Sequence, residues 1–107
     1  MKVIFKLDLE LKTPKNKVLG NWECRVTNEM RFEERPRIGE NWLFYSEDGT
    51  NLLEDYSQVK SVYVNWHPKS GPQVDVRLSD ITLGASHLEL ISLLEKLPEW
   101  QVLKLNS

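Results

Sequence analysis

The chain is poor in the features that mark disulfide-stabilised, membrane-spanning or strongly charged proteins. Its single cysteine, Cys24, has no second cysteine with which to form an internal disulfide. No run approaches the roughly 20 consecutive apolar residues that a membrane-spanning helix requires. The 14 Lys and Arg residues and the 16 Asp and Glu residues leave a net charge of −2. The overall charge therefore gives no reason to expect binding to nucleic acid or to an anionic membrane.

A signal peptide is also missing from the pattern of the N-terminal stretch. Charged residues recur at every second position from Lys6 to Lys12, so this stretch has no continuous apolar core. A composition of 40% hydrophobic and 28% charged residues is typical of a soluble globular domain. We therefore expect a cytoplasmic protein, without a membrane partner, that forms a single domain over residues 1–107.

Sequence motifs for catalysis, cofactor binding and metal binding are missing as well. The chain has no glycine-rich nucleotide loop, no GxSxG motif and no CxxC or HxxxH spacing. Ser86, His87 and Asp80 resemble a hydrolytic triad only in type, because Ser86 is better explained as the cap of a helix. The acidic loop from Asp48 to Asp55 lacks the alternating ligands of a calcium site. We expect no catalytic residue, metal or cofactor, and we expect that the protein is not an enzyme.

Alternating apolar residues predict two long strands in the first third of the chain. From Val3 to Leu11 every odd position is apolar, which is the period of a half-buried strand. From Trp22 to Phe32 the even positions are apolar except at Asn28. A polar residue in the inward register predicts a kink in the second strand at Asn28.

Two further alternating runs, from Val59 to Leu78, predict a β-hairpin around the turn residues 67–72. In one antiparallel register, with Trp66 opposite Val74, six large residues share one face. They are Val62, Val64, Trp66, Val74, Val76 and Leu78. We expect this face to belong to the core and the odd positions to face solvent.

A leucine-rich stripe predicts one helix from Ser86 to Leu97, with Ser86 and Glu89 as a capping box. Pro98 ends it. We expect the helix to rest on the even positions of the hairpin. The segment 51–56 fits either one helical turn or a loop. The stretch Trp100–Leu105 fits either a last strand or a loop that lays Trp100 over the core.

Together these patterns predict an α+β fold. It would consist of a curled antiparallel sheet, or a small open barrel of five or six strands, with one C-terminal helix. Between Thr27 and Ser79 a loop with Pro36 and Gly39 is followed by a meander, and this order resembles a small SH3-like barrel. The resemblance rests on no diagnostic motif, and a shared fold does not transfer a function.

The aromatic run from Trp42 to Tyr45 is the main candidate for a binding surface. Its four apolar residues do not alternate, which predicts a strand covered on both faces or one with an exposed apolar face. Arg35 and Arg37 precede the run, and Tyr63 lies in the outward register of the hairpin. Aromatic residues and arginine contribute most to protein interfaces. We therefore predict that Trp42, Tyr45, Tyr63, Arg35 and Arg37 bind a partner.

The function hypothesis that these residues favour is a non-enzymatic domain that binds another protein. Such a domain would act as an inhibitor, an immunity-type partner of a toxin or an assembly adaptor. The alternative is a small β-barrel that binds single-stranded nucleic acid by stacking a base on Trp42 or Tyr45. A small enzyme or ligand carrier would need a pocket around His67, His87 or Glu54. A further alternative is a homo-oligomer that forms through an edge strand or through the aromatic run.

Overall fold

The structure is a computed structural model that describes residues 1–52, 57–84 and 88–105. One long sheet dominates it, and one short helix and a 3-10 turn complete the regular structure of this part of the chain. The elements are β1 (Lys2–Lys12), β2 (Val18–Glu29), a 3-10 helix (Phe32–Glu34), β3 (Val59–His67), β4 (Gly71–Leu78), β5 (Ile81–Gly84), α1 (Leu88–Lys96) and β6 (Trp100–Leu105). The predicted α+β class with one C-terminal helix is confirmed.

The six strands form an open, mostly antiparallel sheet in the order β3-β4-β1-β2-β6, with β5 beside β1. Strand β1 is antiparallel to β2 but parallel to β4 and β5. Three strands have a single strand partner within the described chain: β3 pairs with β4, β6 pairs with β2, and the short β5 pairs with β1. The expectation of a curled sheet or open barrel of five or six strands is thus confirmed.

Strand β1 is the centre of the sheet because it is the middle strand of the order and pairs with three others, β2, β4 and β5. Its odd positions, Val3, Phe5, Leu7, Leu9 and Leu11, are all buried. This is the period-2 pattern that the sequence shows, and these five side chains form the middle row of the core.

Strands β4 and β5 follow the same edge of β1 and behave as one interrupted strand. Lys6 pairs with Arg77, and Leu9 pairs with Ile81. The two β1 residues are three positions apart, whereas their partners are four positions apart. One extra residue is therefore inserted at the interruption, as in a β-bulge. Beside the interruption, Arg77 donates a hydrogen bond to Asp8 over 2.5 Å.

The inner face of the sheet is covered by two pieces, the segment 39–52 and α1. The Phe5 ring on β1 contacts Trp42 at 5.3 Å and Phe44 at 5.1 Å between ring centroids. Phe44 also meets Trp100 on β6 edge to face at 5.6 Å. These contacts fix the segment 39–52 across the sheet, from the β3 edge to the β6 edge.

The hairpin β3–β4 forms, but its register differs from the predicted one by two residues. Val64 lies opposite Val74, and Trp66 lies opposite Pro72. The turn is therefore shorter than the sequence suggests. Pairing between β4 and β1 starts only at Gln73 and Lys2, so the tip of the hairpin extends past the N-terminal end of β1. Trp66, on this tip, is 72% exposed, and Val64, on the edge strand β3, is 52% exposed, so the prediction that both lie in the core is wrong.

The helix spans Leu88–Lys96, within the predicted range 86–97. The proposed cap at Ser86 and most of the segment 51–56 lie outside the described residues. The backbone of α1 lies closest to β6, at the opposite edge of the sheet from β3, so its predicted position on the hairpin is wrong. Of the two alternatives for the last stretch, the strand forms as β6, and Trp100 at its start is buried.

Two other local predictions are wrong. The pairing of β2 with β1 is regular through Asn28, and β2 ends one residue later without a kink there. The register shift occurs instead between Leu11 and Lys12, at the other end of the ladder. The run from Trp42 to Tyr45 is not a strand but irregular chain with single bridges on either side, at Asn41 and at Tyr45.

The glycine in β2, Gly20, lets the Trp22 indole lie against the backbone. A Cβ at position 20 would come within 2.7 Å of Trp22 Cη2. We expect Gly20→Ala to lower the free energy of unfolding by about 1–3 kcal/mol, the usual cost of overpacking a core. Urea denaturation measures this loss. The same substitution in a Trp22→Phe background should cost much less, and an equal loss in both backgrounds would contradict the account.

Candidate functional site

The five residues predicted to bind a partner do not form one surface. Tyr63 on β3 lies opposite Asp75 and points to the outer face of the sheet, where it is 62% exposed. Trp42 is half-buried on the inner face against Phe5. The sheet therefore separates Tyr63 from the aromatic run.

The two arginines lie in the loop before the aromatic run. The Arg35 guanidinium sits 4.0 Å from the centre of the Phe32 ring and donates to the Phe32 carbonyl oxygen at 3.0 Å. Arg35 thus holds its own loop together. The Arg37 side chain is exposed, while its backbone N–H donates to Glu40 Oε1 at 2.5 Å. The same carboxylate accepts a hydrogen bond of 3.5 Å from Trp42 Nε1.

Side chains in the aromatic run alternate between core and solvent even though no strand forms. Trp42 and Phe44 pack on the core, whereas Leu43 is exposed and Tyr45 is 58% exposed. Of the two predicted situations, an exposed apolar face describes the run better than cover on both faces. Tyr45 is the member of this face that borders a cavity.

That cavity, which we call the Tyr45 cleft, lies between the turn at residues 44–50 and the C-terminal end of α1. Its volume is about 600 Å³, within the range of ordinary ligand-binding pockets. The apolar part of its lining comes from distant parts of the chain and consists of Val26, Phe44, Tyr45, Leu52, Leu93, Leu97, Pro98 and Trp100. The polar part consists of Ser46, Glu47, Asp48, Thr50 and Glu99.

One wall of the Tyr45 cleft is a compact turn. The Ser46 N–H donates to the Thr50 carbonyl oxygen at 2.9 Å, and the Gly49 N–H donates to the Ser46 carbonyl oxygen at 2.9 Å. Gly49 has φ of 87°, a left-handed conformation that glycine adopts without strain. At the base of the turn, the Leu52 N–H donates to the Phe44 carbonyl oxygen at 2.8 Å. These bonds hold Tyr45 at the mouth of the cleft.

The charged residues of the described chain that line the Tyr45 cleft, Glu47, Asp48 and Glu99, are all acidic. Hydrogen bonds from the Ser46 and Thr50 side chains, and then from the Thr50 backbone, lower the pKa of Asp48. Asp48 is therefore ionised at neutral pH. Within the described residues, no Lys, Arg or His forms an ion pair with Glu47, Asp48 or Glu99. The cleft thus combines an apolar interior with three carboxylates that no cation of the described chain neutralises.

The surroundings of Tyr63 differ from this cleft. A hollow of about 220 Å³ on the outer face is lined by Lys6, Tyr63, Asn65, Asp75, Val76 and Arg77. Its charges are largely engaged, because Arg77 pairs with Asp8 and the Asn65 amide donates to Asp75 at 2.5 Å. A neighbouring pair, Arg25 and Glu23, lies on the same face at 2.7 Å. The outer face therefore presents charges of both signs that neutralise one another.

The remaining reactive groups do not converge on either hollow. Cys24 is fully buried, and its burial, with the nearby charges of Asp8, Glu23 and Glu95, raises the pKa of the thiol to about 12. His67 is exposed at the end of β3, while His87 and Glu54 lie outside the described residues. In the described part of the chain, no three His, Cys, Asp or Glu side chains are grouped to hold a metal ion.

Sequence reasoning identified Tyr45 but missed most of the surroundings that give it a role. Leu97, Glu99 and Trp100 line the Tyr45 cleft because α1 and β6 fold back beside the turn. Pattern analysis placed Trp66 and Val64 in the core, yet both are exposed on the edge strand β3. One residue in the sequence indicated that Trp66 is exposed. Pro72, opposite Trp66, lacks a backbone donor and therefore weakens this end of the hairpin ladder.

The buried thiol of Cys24 predicts a specific pH dependence of stability. Its pKa rises from the ordinary value of 9.0 to about 12 on folding. Above pH 9 the unfolded chain loses this proton while the native chain keeps it, so the free energy of unfolding falls as the pH rises. Between pH 8 and pH 10 the loss from this group should be about 1.4 kcal/mol.

Urea denaturation of the wild type and of Cys24→Ala at both pH values, under reducing conditions, isolates this effect. The variant lacks the titrating group, so the wild type should lose about 1.4 kcal/mol more than the variant between pH 8 and pH 10. Equal losses in the two proteins would show that the thiol titrates normally in the native state.

Within the described residues, no helix combines the length and the apolar composition needed to cross a lipid bilayer. Comparison of the chain with protein-family models, with curated protein sequences and with solved structures found no match. The functional assignment therefore depends on the geometry and chemistry of the Tyr45 cleft.

Proposed function

We propose that this chain is a non-enzymatic domain that binds another protein through the Tyr45 cleft. The observation that carries the proposal is an apolar cleft with an exposed tyrosine at its mouth, whose charged lining residues in the described part of the chain are all carboxylates. An inhibitor, an immunity-type partner of a toxin or an assembly adaptor would each need a surface that recognises another protein. A cytoplasmic location is part of the proposal, and the single, unpaired cysteine supports it.

The apolar interior of the Tyr45 cleft suits the anchor side chain of a partner. Leu97 and Trp100 come from α1 and β6, and Phe44 is held between Phe5 and Trp100 by edge-to-face ring contacts. A preformed pocket of this kind loses little conformational entropy when it is filled. Leu, Phe or Trp of a partner would bury apolar surface against these walls, as the central anchors of protein interfaces do.

The carboxylates of the Tyr45 cleft indicate the charge of the partner. Glu47 and Asp48 lie on the turn side, and Glu99 lies on the opposite side after α1. A partner segment that carries Lys or Arg on both sides of its apolar anchor would complement both walls. Complementary charges of this kind raise association rates and exclude acidic competitors. The proposed partner is therefore a protein with a basic surface around an exposed apolar residue.

The alternative of a single-stranded nucleic-acid-binding domain has less support from this geometry. A base-stacking platform needs an open aromatic face beside unneutralised cations. Trp42 packs on Phe5, Arg35 stacks on Phe32, and the Tyr45 cleft is rimmed by carboxylates that repel phosphate. Titration with single-stranded RNA and DNA at low salt tests this alternative, since binding that weakens with added salt would favour it.

Selection of ligands from a library of random peptides displayed on phage tests the protein-binding proposal. Peptides enriched on the wild-type chain should carry a Leu, Phe or Trp anchor flanked by Lys or Arg. We expect Tyr45→Ala to weaken the binding of a synthetic enriched peptide roughly 30-fold, since loss of an interface anchor costs about 2 kcal/mol of binding free energy. Titration calorimetry gives the two dissociation constants.

The chain offers a matched control for this experiment. Tyr63→Ala removes a tyrosine of similar exposure from the opposite face of the sheet and should leave the affinity unchanged. The double variant Glu47→Gln/Glu99→Gln should weaken binding and reduce its salt dependence. Enriched peptides that bind Tyr45→Ala as tightly as the wild type, or that are rich in Asp and Glu, would contradict the proposal.

A further inference from the structure

Strand β3 has a free backbone edge over most of its length. At its start, the segment 39–42 occupies this edge, because the Gly39 N–H donates to the Val59 carbonyl oxygen and the Val59 N–H donates to the Glu40 carbonyl oxygen, both at 2.8 Å. From Lys60 to His67, no strand of the described chain pairs with β3 on the side away from β4. The free backbone groups of such an edge are a template for another strand.

Lys60 and a register shift between Val59 and Ser61 mark the start of the free edge, but the stretch after them lacks the features that normally prevent strand addition. Natural edge strands are protected by charged side chains, by proline or by bulges. The stretch Ser61–Trp66 contains neither a charged residue nor a proline, and its ladder with β4 is regular. Of the other edge strands, β6 carries Lys104 as its fifth residue, and β5 has only the four residues Ile81–Gly84. Among the edge strands of the described chain, β3 therefore offers the longest free stretch without charge or proline.

The side chains along this edge are unusually apolar for a solvent-exposed position. Val64 and Trp66 project from the inner face, and Tyr63 projects from the outer face, and all three are more than half exposed. Val62, half-buried, continues the inner row. An added strand would therefore cover apolar surface as well as satisfy backbone donors and acceptors.

We propose that the chain forms a homodimer in which β3 pairs antiparallel with β3 of a second copy, with Val64 on the two-fold axis. The apolar inner row of β3 selects this register. Side chains directly opposite each other share a face, so Val62, Val64 and Trp66 must meet residues of the same parity. Only a two-fold axis at Val64 pairs these three residues with one another, with Val62 opposite the partner's Trp66 and Val64 opposite the partner's Val64. The inner row is then apolar in both copies.

The two ends of the free edge also favour a two-fold axis at Val64. Val59 is already occupied by the segment 39–42, and Pro68 has no backbone N–H, so a new ladder is bounded by these two residues. A centre at Val64 places Lys60 opposite the partner's Pro68, where the ladder ends. On the outer face, Tyr63 meets the partner's Asn65. No two like charges lie directly opposite each other, which makes the edge complementary to itself.

Charge placed on the proposed axis gives a direct test. Sedimentation velocity of the wild type at about 100 µM, a concentration suited to weak dimers, should show twice the 12.5 kDa mass of one chain. Val64→Lys and Val64→Glu each place two like charges opposite each other and should raise the dissociation constant at least 30-fold. An equimolar mixture of the two variants should recover the dimer, because the introduced ammonium and carboxylate then face each other.

Recovery of the dimer in the mixture of Val64→Lys and Val64→Glu would also show that both variants are folded. Val18→Lys is the matched control, since Val18 is an exposed valine at the start of β2 and should leave the dimer intact. A monomeric wild type, or a dimer that survives both Val64 variants, would overturn the proposed interface. Two monomeric variants whose mixture stays monomeric would overturn the proposed register.

Discussion

The structure depends on the burial of one face of β1 while both edges of that strand are paired. The positions of the other elements follow from this constraint. Strand β2 covers one edge, β4 and β5 share the other, and β6 extends the sheet beyond β2. The segment 39–52 crosses the buried face by packing Trp42 and Phe44 on Phe5. Because these contacts involve residues far apart in the chain, the sheet and the layer that covers it form as one cooperative unit.

The same constraint explains where apolar side chains remain exposed. The buried row of β1 begins at Val3, so the hairpin residues that extend beyond it, such as Trp66, have no core to enter. At the other side of the molecule, α1 ends at Lys96 and the chain turns into β6, which leaves the Tyr45 cleft between them and the turn. The proposed dimer uses the β3 edge, whereas the Tyr45 cleft lies near the β6 edge, so each copy would keep a free cleft for its partner.

Local pattern was sufficient to predict most elements but not their neighbours. Period-2 alternation located β1 and the hairpin, and the leucine stripe located α1, because these signals depend only on which side of an element is buried. Alternation does not reveal that β4 runs parallel to β1, and that pairing decides which hairpin residues are buried. Trp66 has the same parity as Val74, but it lies opposite Pro72, which precedes the first β4 residue that pairs with β1. The alternation therefore assigned Trp66 to the wrong environment.

The candidate site was predictable only in part for the same reason. Tyr45 is noticeable in a short aromatic run, but the residues that complete its cleft, Leu97 and Trp100, lie about fifty positions later in the chain. Arg35 was grouped with Tyr45 by sequence proximity, whereas the structure uses it to close its own loop on Phe32. Nearness in sequence predicts local contacts well and the composition of a surface poorly.

Native-state hydrogen exchange, followed residue by residue by NMR, tests the central place of β1 most directly. The account predicts that the hydrogen-bonded amides from Val3 to Leu11 exchange only through global unfolding, with free energies equal to that of urea denaturation. Amides near the tip of the β3–β4 hairpin should exchange through smaller, local openings in the monomer. If the amides of β1 exchanged faster than those of β4 or β2, the sheet would not be organised around β1 and the account would be wrong.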